Sequence, residues 1–324
     1  MQRSWQMEKL LIYREKILNF LSSHWQVCGP VGKFIGGVLI FYVINSLFGY
    51  SKVLNQPFSI LILAGICVFL PFSMTFLLCN LIIIIHLSMV SVEIGILYFI
   101  ILGIYYLLYQ RMFPGMRYLL FMTPVFFFFH LPAVVPLYVG SFIGITGIPA
   151  IVMGTFLYIF AMTVQSGVVQ VNNGSFGSQL YNFVLQGTIE NKELIVYILC
   201  FIFVAALVVG IRKMQVDYGW YFSIFIGGIA YVIVVLVGGF FTGNRVDIAG
   251  ELAVAALSIL AVMIMQFFKV VIDYSRQETM EFEDEDYYYY VKAIPKSRVN
   301  EEEINITKIN PSGKKFGFKK HKGE

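Results

Sequence analysis

The chain has 324 residues, of which 58% are hydrophobic and only 13% charged, with a formal net charge of +4, and its mean hydropathy is +0.77. Soluble domains keep roughly a quarter of their residues charged, so the composition excludes an ordinary soluble protein and points to an all-α polytopic membrane protein. The basic excess gathers at the two ends and in short loops, so it is not a nucleic-acid signal.

Residues 1–33 read as a cytoplasmic amphipathic N-terminal helix. In WQMEKLLIYREKILNFLSSHW, Met7, Leu10, Leu11, Ile17, Leu18, Leu21 and Trp25 recur at helical spacing, with Lys9, Arg14, Glu15 and Lys16 on the polar side. Gly29-Pro30 is expected to end that helix, which then lies in the headgroup layer or on the protein's own face. The first ~30 residues lack the compact apolar run of a cleavable leader.

Residues 34–272 form the transmembrane domain. Six stretches read as single crossings: 34–50, 91–109, 148–166, 192–211, 218–240 and 248–271. Two further pairs, 58–70 with 72–90 and 118–130 with 132–146, are interrupted by Pro71 and Pro132 and are each short for a crossing of ~20 residues. They read as Pro-broken hairpins, either re-entrant or built of short paired helices. Either version puts 20 basic residues on one side and 3 on the other, which makes the basic side and both termini cytoplasmic.

The segment FFFFHLPAVVPL, 126–137, is the tip of the second hairpin. Pro132 and Pro136 lack backbone donors and disfavour helix before them, so the chain must break there, where protein or water covers the broken backbone. Leu70-Pro71 matches Leu131-Pro132, and the two hairpins are expected to enter from opposite faces, as in an inverted repeat with a midplane site. Pro71, His86, His130, Pro132 and Pro136 are therefore the candidate substrate pathway. For both histidines the alternative is an imidazole satisfied by a backbone carbonyl. Glu93, Glu193 and Glu251, near helix starts, read as dipole partners. Asn45 and Asn80 read as interhelical hydrogen-bonding groups. The four cysteines show no metal spacing, no catalytic motif is present, and no cofactor is implied.

Residues 273–324 form a cytoplasmic tail. Five acids lie within Glu281–Asp286, followed by Tyr287–Tyr290, Val291 and Lys292; Pro295 and then INITKIN at 304–310 come next. Tyr and Val favour strand, so 287–310 is expected to hold a strand pair. Glu283, Asp284, Asp286, Tyr287, Tyr288, Tyr289, Tyr290 and Lys292 form the expected partner-binding face. KKFGFKKHK reads as a disordered basic end that touches anionic lipid.

With its Pro-broken core, the segment DYSRQETMEFEDEDYYYYVKAIPK resembles the tail of a family of uncharacterised bacterial multi-pass membrane proteins, some labelled transporter permeases. The resemblance implies a bacterial plasma membrane and supplies no substrate or residue roles. Two functions remain. One is permease-like transport at the opposed hairpins, with an ATPase or other soluble protein bound to the tail. The other is a non-transporting anchor or scaffold whose tail recruits a soluble complex. The lipid bilayer is a partner in either case, and a homo-oligomer is compatible with both.

Overall fold

The computed structural model describes residues 2–170, 178–214, 219–243, 246–269, 278–283 and 288–293. The chain divides into two compact units. Phe20–Val270 holds all the long apolar helices, and the other unit takes in Met1–Asn19 and the tail.

Among the described residues, seven helices are long and apolar enough to cross a membrane. They are α2 (Trp25–Phe48), α4 (Phe72–Val90), α5 (Val92–Tyr105, continued as a π-helical turn to Gln110), α8 (Ile148–Gln170), α10 (Lys192–Arg212), α11 (Gly219–Thr242) and α12 (Ile248–Lys269). The remaining helices are α1 (Gln2–Ser23), which is less apolar, and the shorter α3 (Pro57–Phe69), α6 (Tyr118–Phe128), α7 (Val134–Tyr138, continued as a π-helical turn to Ile143) and α9 (Ser178–Ile189). Large apolar side chains point outward, with Phe69 89% and Phe240 85% exposed. The same helices bury Asn80, His86, Gln110 and Gln266. An apolar exterior over a partly polar interior is the arrangement lipid selects. The chain is a multi-pass membrane protein.

Touching residues fix the direction of each helix. α3 runs back along α2: Gly37 meets Ala64, and Lys33 Nζ donates to the Leu70 carbonyl at 3.4 Å. α4 then returns, since Arg117 donates to Ser73 near its start while His86 near its end bonds the Ser51 amide. α5 turns back, with Tyr98 Oη donating to Asn80 at 2.7 Å. α10 and α11 are antiparallel, with Gly227 against Val208 and Gly238 against Val196. The helix ends therefore sort largely by charge, Lys52 and Lys192 at the acidic end being the exceptions. Lys33, Arg111, Arg117, Arg212, Lys213 and Lys269 gather at one end, and Glu93, Glu193, Asp247 and Glu251 at the other.

Several expectations change. Pro30 does not end the N-terminal helix; the boundary is at His24, and Pro30 lies inside α2. It sits in that helix's second turn, so it removes only the bond to Gln26. Of the described side chains on α1, Ile17, Phe20 and Leu21 are exposed whereas Arg14 is buried. The first Pro-broken pair is a short helix followed by a full-length one. α3 packs chiefly on α2 and α4 on α5, and seven long helices replace the six expected. Leu70-Pro71 lies at the basic end beside Lys33, not at mid-depth.

In the tail, β1 (Glu278–Glu283) pairs antiparallel with β2 (Tyr288–Ala293), placing Glu281 opposite Tyr290 and Glu283 opposite Tyr288. The Tyr-rich run is a strand as expected, but its described partner is the acidic segment. The expected partner, 304–310, lies outside the described residues, as do Asp284, Asp286, Tyr287 and the basic end.

Close approach of α6 and α8 positions the site. Pro124 frees the Leu120 carbonyl by removing its helical donor, and α8 presents Gly154 to it. A Cβ there would sit 2.9 Å from that oxygen and 2.6 Å from Thr123 Cβ. Small residues at helix contacts let backbones approach in lipid, where no hydrophobic drive pulls helices together. Gly154→Ala should therefore cost about 1–3 kcal/mol by overpacking. Gly210→Ala, with open space around its Cα, should be neutral. Thermal unfolding in detergent distinguishes the two.

Candidate functional site

α6 enters from the basic end alongside α8. Leu119 lies at Gly147, and Phe127 stacks on Tyr158 at 4.6 Å between centroids. The chain then turns, and the return arm runs back along α10 until Gly140 meets Val208 and Ala205 and Arg212 donates to the Ser141 carbonyl. Both arms of 118–143 thus open toward the basic end, and the turn lies roughly 18 Å up α8, counted from Ile148 to Phe160 at 1.5 Å per residue.

The turn has a specific chemistry. The His130 amide donates to Phe127 O at 3.0 Å and the Leu131 amide to Phe126 O at 2.8 Å. With His130 at φ 55°, this is a Schellman cap, a motif that usually places glycine at the left-handed position. Val134 and Val135 then donate to the Leu131 and Pro132 carbonyls. The amides of His130, Leu131, Val134, Val135 and Leu137 are thus satisfied within the turn itself, so protein covers this part of the break. Pro136 is buried, and His130 is exposed toward a cavity.

That cavity, about 310 Å³, is lined by Phe127, His130, Pro132, Tyr158, Met162, Glu193, Tyr197 and Glu251. A second hollow of about 230 Å³ shares Glu193, Tyr197 and Glu251 and adds Asp247 and Thr242. The acids are held by their helices. Asn191 Oδ1 caps α10, accepting from the Glu193 and Leu194 amides at 2.9 and 3.2 Å, and Asp247 Oδ1 accepts from the Ala249 amide at the start of α12. Helix N-termini stabilise such carboxylates. They also leave the negative charge facing a shared hollow. The Tyr231 hydroxyl approaches Glu251. Neither that hydroxyl nor Glu251 Oε2, both buried, closes a hydrogen bond. The arrangement suits a small solute that is cationic or a hydrogen-bond donor.

The five pathway residues named from sequence do not converge. His130 and Pro132 line the cavity, and Pro136 lies behind it in α7. Pro71 is at the opposite end. His86 belongs to a separate buried network: its Nδ1 accepts from the Ser51 amide at 3.1 Å and its Nε2 donates to Asn45 Oδ1 at 3.0 Å, the tautomer following from the amide donor. Asn45 Nδ2 donates in turn to the Leu54 carbonyl. This imidazole ties a loop to two helices. Glu193 and Glu251 each look like a lone dipole partner in the sequence, and no linear signal shows that two helix starts 58 residues apart share a hollow. Comparison with protein-family models, curated proteins and solved structures gives no match.

The left-handed His130 generates a stability test. A non-glycine residue there costs about 1 kcal/mol or more, and a β-branched one costs more still. His130→Gly should raise the thermal midpoint in detergent, and His130→Val should lower it. Equal effects would contradict the cap.

Proposed function

We propose that the chain is a membrane transport protein whose solute enters through the cavity at the His130 turn. The supporting observation is the combination of a broken hairpin reaching deep into the bundle with carboxylates from two other helices at its tip. Ionisable groups inside a membrane domain are functional by default, and broken backbone at such depth belongs beside a solute path. We read 118–143 as a re-entrant hairpin entering from the basic end. The positive-inside bias makes that end cytoplasmic, so the cavity faces outward across a bacterial plasma membrane. The role is passage rather than catalysis.

The anchor reading draws on β1 and β2. Among the described residues the sheet has two strands, and a sheet of that size is marginal alone and suited to strand addition by a soluble partner.

Thiol labelling separates the two. In a cysteine-free background, Met162→Cys at the cavity wall should react with an impermeant reagent added outside whole cells. Leu137→Cys, fully buried between cavity and basic end, should react with a small polar reagent as the path opens during turnover. Labelling at Met162→Cys with complete protection at Leu137→Cys would leave a blind surface hollow and put the anchor ahead.

A further inference from the structure

Below the cavity, α12 presents a buried stripe toward the protein: Ala255, Ser258, Val262 and Gln266, in line with Glu251 at i, i+4, i+7, i+11 and i+15. Ser258 and Gln266 are both 0% exposed. Ser258 Oγ, Gln266 Nε2 and Gln266 Oε1 have no hydrogen-bond partner. Two neighbouring elements contribute the same kind of group. On α11, Tyr231 is 0% exposed with an unpartnered hydroxyl, and on the return arm Ser141 is 2% exposed with an unpartnered Oγ. Buried polar side chains in native proteins nearly always find a partner, and in a membrane domain no bulk water reaches them. Orphans clustered on one face, from the carboxylate cavity to within one turn of Lys269, have a common explanation. Ordered water fills such polar gaps, each molecule needing two to four polar neighbours.

We propose that Glu251, Tyr231, Ser258, Ser141 and Gln266 line a proton path through the bundle, with Glu251 as its loading site. The inference rests on the transport reading and assigns the coupling ion. A proton taken from cavity water by the Glu251 carboxylate passes to water held by Ser258 and Tyr231, and then along water at Gln266 and Ser141. The carboxylate returns to its charged form, and no co-reactant is needed.

The spacing suits relay. Glu251 to Ser258 and Ser258 to Gln266 are each about 10–12 Å along the helix, a gap two or three waters bridge. Hydroxyls and a carboxamide both donate and accept. Beyond Glu251 no carboxylate lies on the stripe, and the exit is flanked by Arg212, bonded to Ser141 O, and Lys269, 4.5 Å over the Phe142 ring. A metal or ammonium ion leaving the cavity would find no anionic ligand along that stripe, whereas a proton needs only groups that both donate and accept. The titratable and charged groups around Glu251 are Asp247 in the loop entering its own helix, Glu193, Tyr197 and Cys200 on α10, Tyr231 on α11, and His130 and Tyr158 across the cavity.

The test uses the full chain purified into liposomes that enclose a pH-sensitive dye, with a potassium–valinomycin potential driving proton entry. The natural chain should acidify the interior at least tenfold faster than empty liposomes. Glu251→Gln and Gln266→Leu should each remove that excess at least tenfold. Ser223→Ala, a buried serine already bonded to the Trp220 carbonyl, should leave it intact. Gln266→Leu replaces an unsatisfied group by an apolar one and should fold at least as well; Gln266→Met is the second variant. Flux equal to empty liposomes, or flux unchanged in Glu251→Gln and both Gln266 variants, overturns the proposal. If Leu137→Cys still labels when flux is absent, transport stands and the proton path falls.

Discussion

In hydrocarbon every backbone donor must find an acceptor within the protein, because leaving one bare costs several kcal/mol. The chain breaks its helices with proline repeatedly and meets that constraint differently each time. Pro71 begins a new helix at the basic end, where its missing donor is one that would lack a partner anyway. Pro124 stays inside α6, and the carbonyl it frees lies against Gly154 of α8. At 129–133 the Schellman cap turns the amides of His130 and Leu131 back onto the carbonyls of Phe127 and Phe126 in α6. That last solution lets the chain reverse inside the bundle without exposing backbone. Everything at the candidate site hangs from it: the ring of His130, the cavity floor and the direction of the return arm.

Around that turn, charge is segregated by depth. Carboxylates collect at one end, where the positive poles of α10 and α12 favour them, and most lysines and arginines at the other, with Lys52 and Lys192 as exceptions. Between them lie few polar groups, most of them hydrogen-bonded. Asn80 joins Tyr98, and His86 joins Asn45 and Ser51. Those pairs hold α2, α4 and α5 together and read as structure. Of the buried side-chain atoms left without a partner among the described residues, those of Tyr231, Glu251, Ser258, Gln266 and Ser141 lie along α11, α12 and the return arm, while others, at Tyr50 and Gln110 for example, are scattered through the rest of the bundle.

Much of this was legible in the chain. Apolar length located the single crossings, and FFFFHLPAVVPL marked a break where the structure has one. Other features depended on contacts that no local pattern encodes. Phe72–Val90 has the length of a crossing, but Pro71 made it look like half of a hairpin; its depth is set by Ser73 at one end and His86 at the other. Pro30 looked like a terminator because its place in the second turn of a helix starting at Trp25 was not visible. Glu193 and Glu251 needed the tertiary fold to meet. The α12 stripe is an exception, since its i, i+4, i+7 spacing is written in the sequence, although its missing partners are not. In the tail the Tyr run was recognisable as strand from its residues, whereas its pairing with an acidic segment runs against the low strand preference of Glu.

The central claim is that the 118–143 hairpin enters from the basic end and turns near the acidic end beside water. Site-directed spin labels in liposomes measure this directly through collision with a water-soluble nickel chelate and with oxygen. A label replacing His130 should collide strongly with the chelate, and one replacing Phe126, a turn deeper on α6, should favour oxygen. A label replacing Leu70 should again favour the chelate, because that turn lies at the opposite surface. A His130 label reached by oxygen alone, with depth equal to that of Phe126, would contradict the account.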